Sequence, residues 1–195
     1  MTAASKNDRQ ILLLASVAQW QSWLVENAEA TSPVWLKISK QQSINPGVTY
    51  AEALDVALCF GWIDGQKDKF DDIYWLQRFS RRTAKSPWSQ INREKAEKLI
   101  AQARVTAQGL AEIDRAKADG RWEKAYASSR SMELPADLLE LLEQHPQAKA
   151  FFQGLNRANL FAIYYRLQTA KKPETRQKRL DLILNMMKGQ KTFHP

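Results

Sequence analysis

Between Cys59 and Asn92 the chain gathers residues that can hold an anion. Trp62 and Asp64 lie inside a Gly61-Trp-Ile-Asp-Gly65 run, Arg78 and Arg82 follow four apart, and Ser86, Trp88, Ser89 and Asn92 lead into a helical pattern. Alternate side chains of an extended segment share a face, which puts Asp64 with Trp62, and Arg78 with Leu76, Ser80 and Arg82. Guanidinium groups fork onto carboxylates and phosphates, and the first N–H groups of a helix favour negative charge. One reading therefore has Arg78, Arg82, Ser86, Ser89 and Asn92 receiving a small anionic ligand, with Asp64 close by and Trp62 and Trp88 as an aromatic wall. A structural reading stands beside it: Ser89 as an N-cap, Asn92 supporting the first turn, Asp64 ion-paired to an arginine, and the tryptophans in the core.

The parts needed for catalysis are sparse. Of the two histidines, His145 precedes Pro146 and His194 is next to the last residue, and neither Cys-x-x-Cys nor His-Glu-x-x-His occurs. Asp64 beside arginines suits an ion pair better than proton transfer, and the glycines around it do not have the spacing of a nucleotide-binding loop. The sequence thus argues against an enzyme and calls for no metal and no cofactor. Nucleic-acid binding is the alternative from another class. Arg78, Arg81, Arg82, Lys85, Arg93 and Lys95 interleave with Trp75, Phe79 and Trp88, a combination that can meet phosphate and stack bases. No nucleic-acid fold signature accompanies them.

The elements that must position these residues are legible in outline. A chain of 195 residues buries about 70% of its unfolded surface and needs no staple. With 44% hydrophobic and 26% charged residues it is neither disordered nor membrane-spanning, and the single cysteine, Cys59, fits a reducing, cytoplasmic setting as a core residue. Lys6 and Arg9 before Ile11-Leu-Leu-Leu-Ala-Ser-Val-Ala18 imitate an export signal, but Asp8 interrupts the basic part and the run continues into a helix, so the segment is expected to be retained. Helical spacing after Ser16 predicts a first helix over about Val17 to Glu29, and Val34 to Ser39 alternates as a strand. Thr49 and Glu52 are spaced as a capping box for a second helix ending near Gly61. Trp62 to Gly65 and Ile73 to Phe79 read as extended, joined by an acidic hairpin loop at Asp68 to Asp72. From Ser89 onward helix follows helix, with Pro135, Pro146 and Pro173 near starts and Gly109, Gly120, Gly154 and Gly189 near stops.

These patterns predict an α+β protein, with a small sheet and flanking helices over 1–87 and a helical part over 88–195 packed on it as one compact unit. The formal charge of +8 is concentrated at the C-terminal end, where residues 166–195 carry eight Lys or Arg against Glu174 and Asp181. Arg176 and Arg179 would line one side of the last helix.

Taken in order, Val34-Trp-Leu-Lys-Ile, Leu58-Cys-Phe-Gly-Trp-Ile-Asp-Gly65, Ser86-Pro-Trp-Ser-Gln-Ile-Asn92, Asp119-Gly-Arg-Trp122 and Ala170-Lys-Lys-Pro-Glu-Thr-Arg176 resemble the successive motifs of the YdeI/OmpD-associated, bacteriocin-protection family. The resemblance implies a role in bacteriocin or envelope stress, without implying a reaction, ligand or oligomeric state. It also makes Lys171 and Arg176 second-rank candidates for ligand contact. Two positions depart from the family pattern. Arg78-Phe-Ser-Arg-Arg82 replaces Arg-Phe-Thr-Pro-Arg, removing a rigid turn that would aim Arg82, and Ala103 stands where a glycine is expected.

Overall fold

The computed structural model describes residues 9–41 and 44–195, so Lys6 and Asp8 of the N-terminal reading lie outside the described residues. The chain separates into two compact units, one of residues 1–86 and 92–124 and one of residues 87–91 and 125–195. The chain enters the second unit at residue 87 and returns to the first over residues 92–124.

The first unit is built on a four-stranded mixed sheet. Its strands are β1 (Ile11–Leu12), β2 (Val34–Ser39), β3 (Trp62–Lys69) and β4 (Tyr74–Arg81), in the order β1-β2-β4-β3. β1 runs parallel to β2 and the remaining pairs are antiparallel. Arg81, the last residue of β4, stands opposite Trp62.

Val34, Leu36, Ile38 and Phe79 point from one sheet face into the core, where they meet α1 (Val17–Glu26) and α2 (Tyr50–Cys59) through Trp20, Leu24, Ala53, Val56 and Ala57. Burying each large side chain here contributes about 1.5–3 kcal/mol. Trp20 is wholly buried yet keeps its polar end satisfied, its indole Nε1–H donating to the Ala53 carbonyl at 3.0 Å. The helix predicted to reach Glu29 stops at Glu26, because Asn27 takes the C-cap and its side-chain amide donates back to the Trp23 carbonyl. The Thr49–Glu52 capping box forms as its spacing predicts.

Two further helices complete this unit, α3 (Gln90–Ala101, whose first two residues count with the second unit) and α4 (Ala107–Ala118). Gly109 does not stop a helix. It is the third residue of α4, and a Cβ there would lie 2.2 Å from the Cys59 carbonyl oxygen. That carbonyl accepts from both the Thr106 N–H and its hydroxyl, so the end of α2 and the start of α4 meet backbone to backbone. Between α3 and α4, Ala103 has φ 53°, a left-handed conformation that favours the glycine the family pattern expects.

The second unit contains α5 (Ala136–Glu143), α6 (Pro146–Gln153), α7 (Arg157–Gln168) and α8 (Pro173–Lys188) around Leu138, Leu142, Phe152, Ile163, Leu167 and Ile183. Pro146 and Pro173 occupy first-turn positions, where the missing N–H costs nothing. Residues 87–91 join this unit by pairing with Tyr126, whose N–H donates to the Trp88 carbonyl and whose carbonyl accepts from the Gln90 N–H, each at 2.9 Å.

Candidate functional site

The candidate residues fall in both units, and each is placed for a local physical reason. Trp62 is 1% exposed on the core side of the sheet, edge-on to Trp23 at 5.7 Å. Trp88 is also 1% exposed, in the second unit. Both rings are enclosed by protein, unlike the open aromatic wall expected from the sequence. Asp64 shares the core face with Trp62 and accepts from the Tyr50 hydroxyl at 2.7 Å, so a phenol takes the place of the expected arginine. Arg82 lies one residue beyond β4, its N–H donating to the Gly61 carbonyl and its side chain 4% exposed.

The helix start is likewise occupied. The Ser86 hydroxyl accepts from the Thr83 N–H at 2.9 Å, and its carbonyl accepts from Arg121 Nη1 at 2.8 Å. Arg121 is steered there by Asp119, which takes its Nε–H. Ser89 is bridged to Tyr126, and the Gln90 N–H beside it is already donated. Asn92 is buried. The groups named here between Ser86 and Gln90 thus already have partners within the chain.

Arg78 is different. It stands in mid-β4 opposite Trp35 of β2, on the sheet face that turns away from α1 and α2. β3 bulges beside it, its register slipping between Asp64 and Lys67, and the bulge residues Gly65 and Gln66 face Arg78. The buried Gln77 amide braces the bulge, donating to the Gly65 carbonyl at 3.0 Å and the Arg78 carbonyl at 3.1 Å. A Cβ on Gly65 would sit in ordinary contact with Arg78 Nη1, at 3.4 Å, so the Arg78 side chain lies against the Gly65 backbone.

These residues open onto a groove of about 770 Å³, lined also by Arg9, Ser32 and Pro33. Arg9 lies over the Trp35 ring, 4.5 Å from its centroid, and donates to Asp68 Oδ2 at 2.6 Å. Among the described residues the half-buried Arg78 guanidinium makes no hydrogen bond or ion pair. Sequence reasoning found Arg78 but passed over Arg9 and Trp35. The available signal was the alternation in β2, which sets Trp35 on the opposite face from Val34 and Leu36; Arg9 gave none, being distant in sequence.

The second-rank candidates part company. Lys171 is exposed, whereas Arg176 forks onto Asp137 at 2.7 and 2.8 Å and donates to the Leu167 carbonyl at 2.8 Å. Among the described residues no three His, Cys, Asp or Glu side chains come together as metal ligands would, and no helix is long and apolar enough to cross a membrane.

Fold and site together define an α+β chain with a groove on one sheet face. The chain belongs to a family defined by a domain of unknown function (DUF8412), whose model matches residues 12–112, more than half of its length. Its C-terminal part, residues 131–189, matches the family described as Bacteriocin-protection, YdeI or OmpD-Associated. The Ala170-to-Arg176 motif falls within that second match, while the Gly61-to-Gly65 and Ser86-to-Asn92 motifs fall within the first. No curated protein and no solved structure matches the chain.

Proposed function

We propose that this chain is a non-enzymatic binding protein for a small anionic ligand, held in the groove by the Arg78 guanidinium. One observation carries the reading. Arg78 is partly withdrawn from water in the middle of a strand and has no counter-charge among the described residues, while the neighbouring cation, Arg9, has Asp68. A cation so placed has lost hydration that an anion's oxygens restore. Trp35 and Pro33 supply apolar wall, and Ser32 and Gln66 supply polar groups, the mixture found in small-molecule sites. A bacteriocin-stress context comes from the family description alone. A cytoplasmic location is part of the proposal, supported by Cys59, a buried thiol whose pKa is pushed up chiefly by burial and which is therefore a poor thiolate.

The test is a thermal-shift and calorimetric screen of small carboxylates and phosphates against wild type, Arg78→Ala and Arg78→Lys. The expected result is an anion-dependent rise in Tm that Arg78→Ala abolishes and Arg78→Lys weakens, since a lysine lacks the planar fork. A shift of equal size in wild type and Arg78→Ala would sink the reading.

A further inference from the structure

Resting on that reading, we infer that the groove selects a flat organic monoanion, an aromatic carboxylate, over dianions and inorganic anions. The charge balance of the groove is the first argument. Arg9 and Asp68 form an ion pair at 2.6 Å, so Arg9 presents a matched charge, and Arg78 is the groove's guanidinium without one among the described residues. One carboxylate satisfies it through a bidentate fork. A second carboxylate on the same ligand finds no second unmatched guanidinium among the described residues, because Arg9 is already held by Asp68.

Size and shape supply the rest. A groove of about 770 Å³ is far larger than a bare sulfate or phosphate and falls in the range of sites for small organic molecules. Its flat surfaces are the Arg9 guanidinium, which covers the buried Trp35 ring at 4.5 Å from its centroid, and the Gly65 backbone with no side chain raised above it. Rings and guanidinium planes stack on other flat π systems, and saturated rings lose that contact. Arg78 Nη1 lies directly over Gly65, so the carboxylate end of such a ligand is placed beside the glycine floor.

The experiment is isothermal titration of the full chain with benzoate, cyclohexanecarboxylate, phthalate and inorganic phosphate, repeated on Arg78→Ala and Asp68→Asn, with thermal melts to verify folding. Benzoate is expected to bind wild type roughly tenfold more tightly than each of the others, a difference of about 1.4 kcal/mol. It should lose that binding in Arg78→Ala. Asp68→Asn should raise phthalate affinity toward that of benzoate, because Arg9 becomes unmatched. Phthalate or phosphate binding as tightly as benzoate in wild type, or cyclohexanecarboxylate matching it, overturns the monoanion or the flat-ring assignment while leaving Arg78 as an anion site. Absence of binding by every probe, or equal binding by Arg78→Ala, overturns the site itself along with the selectivity.

Discussion

Arg78 and Arg176 carry one side chain into opposite circumstances. Arg176 forks onto Asp137 and caps the Leu167 carbonyl; Arg78 reaches into a groove without a hydrogen bond or ion pair among the described residues. Nothing local in the sequence distinguishes them, because the partner that settles Arg176 is 39 positions away. The pairing has a pH signature. Hydrogen bonding from Arg176, set against a smaller burial cost, holds the Asp137 carboxyl below its ordinary value of 3.8. A depressed carboxylate contributes stability that is present above its unfolded pKa and lost as pH falls through the folded one. With the two side chains 31% and 41% exposed, solvent screening limits the contribution to about 1 kcal/mol or less. Asp137→Asn is therefore expected to lower stability at pH 7 by up to about 1 kcal/mol and to flatten the loss of stability below about pH 4. Urea unfolding of both proteins at neutral and acid pH measures this, and an unchanged acid slope in the variant would contradict it.

At the scale of elements, what could be read from the chain was what a few neighbouring residues decide. Thr49 and Glu52 announce α2 because each caps the other, and β2 is readable because its alternation spans the whole strand. Gly109 was misleading because its purpose is set by another element: it clears space for the Cys59 carbonyl, and nothing near it in sequence says so. Gly109→Ala is expected to destabilise by about 1–3 kcal/mol, as overpacking does, and to lower Tm accordingly. Serine would be no better tolerated, since the clash is with the added Cβ. Ala103 runs the other way. Its φ of 53° costs an L-residue about 1–2 kcal/mol, and the extra unfolded-state freedom of glycine offsets part of the relief. Ala103→Gly should raise stability by roughly 0.5–1 kcal/mol in denaturant melts, and a loss would show that the neighbouring turn holds Ala103 by contacts of its methyl group.

For the whole molecule, the pattern of folding back was illegible where it depends on distant pairing. The return of residues 92–124 to the first unit follows from contacts such as the one between Thr106 and Cys59, which no local pattern announces. Net charge was illegible for the same reason. The +8 total and the cationic C-terminal end suggest a polyanion surface, yet three of its arginines turn inward within the second unit: Arg166 donates to the Ala162 carbonyl, Arg176 holds Asp137, and Arg179 donates to the Arg166 carbonyl and the Thr169 hydroxyl. Exposed lysines such as Lys171, Lys172 and Lys178 are left at the surface. Flexible ammonium groups without stacking partners give non-specific, salt-sensitive contact and little more. A labelled single-stranded oligonucleotide is thus expected to bind no more tightly than about 10⁻⁶ to 10⁻⁴ M at physiological salt and to be released as salt rises. The double variant Lys171→Glu, Lys172→Glu should remove that contact and leave carboxylate binding at Arg78 unchanged. Tight binding that persists at high salt, or that Arg78→Ala abolishes, would instead make nucleic acid the ligand of the groove.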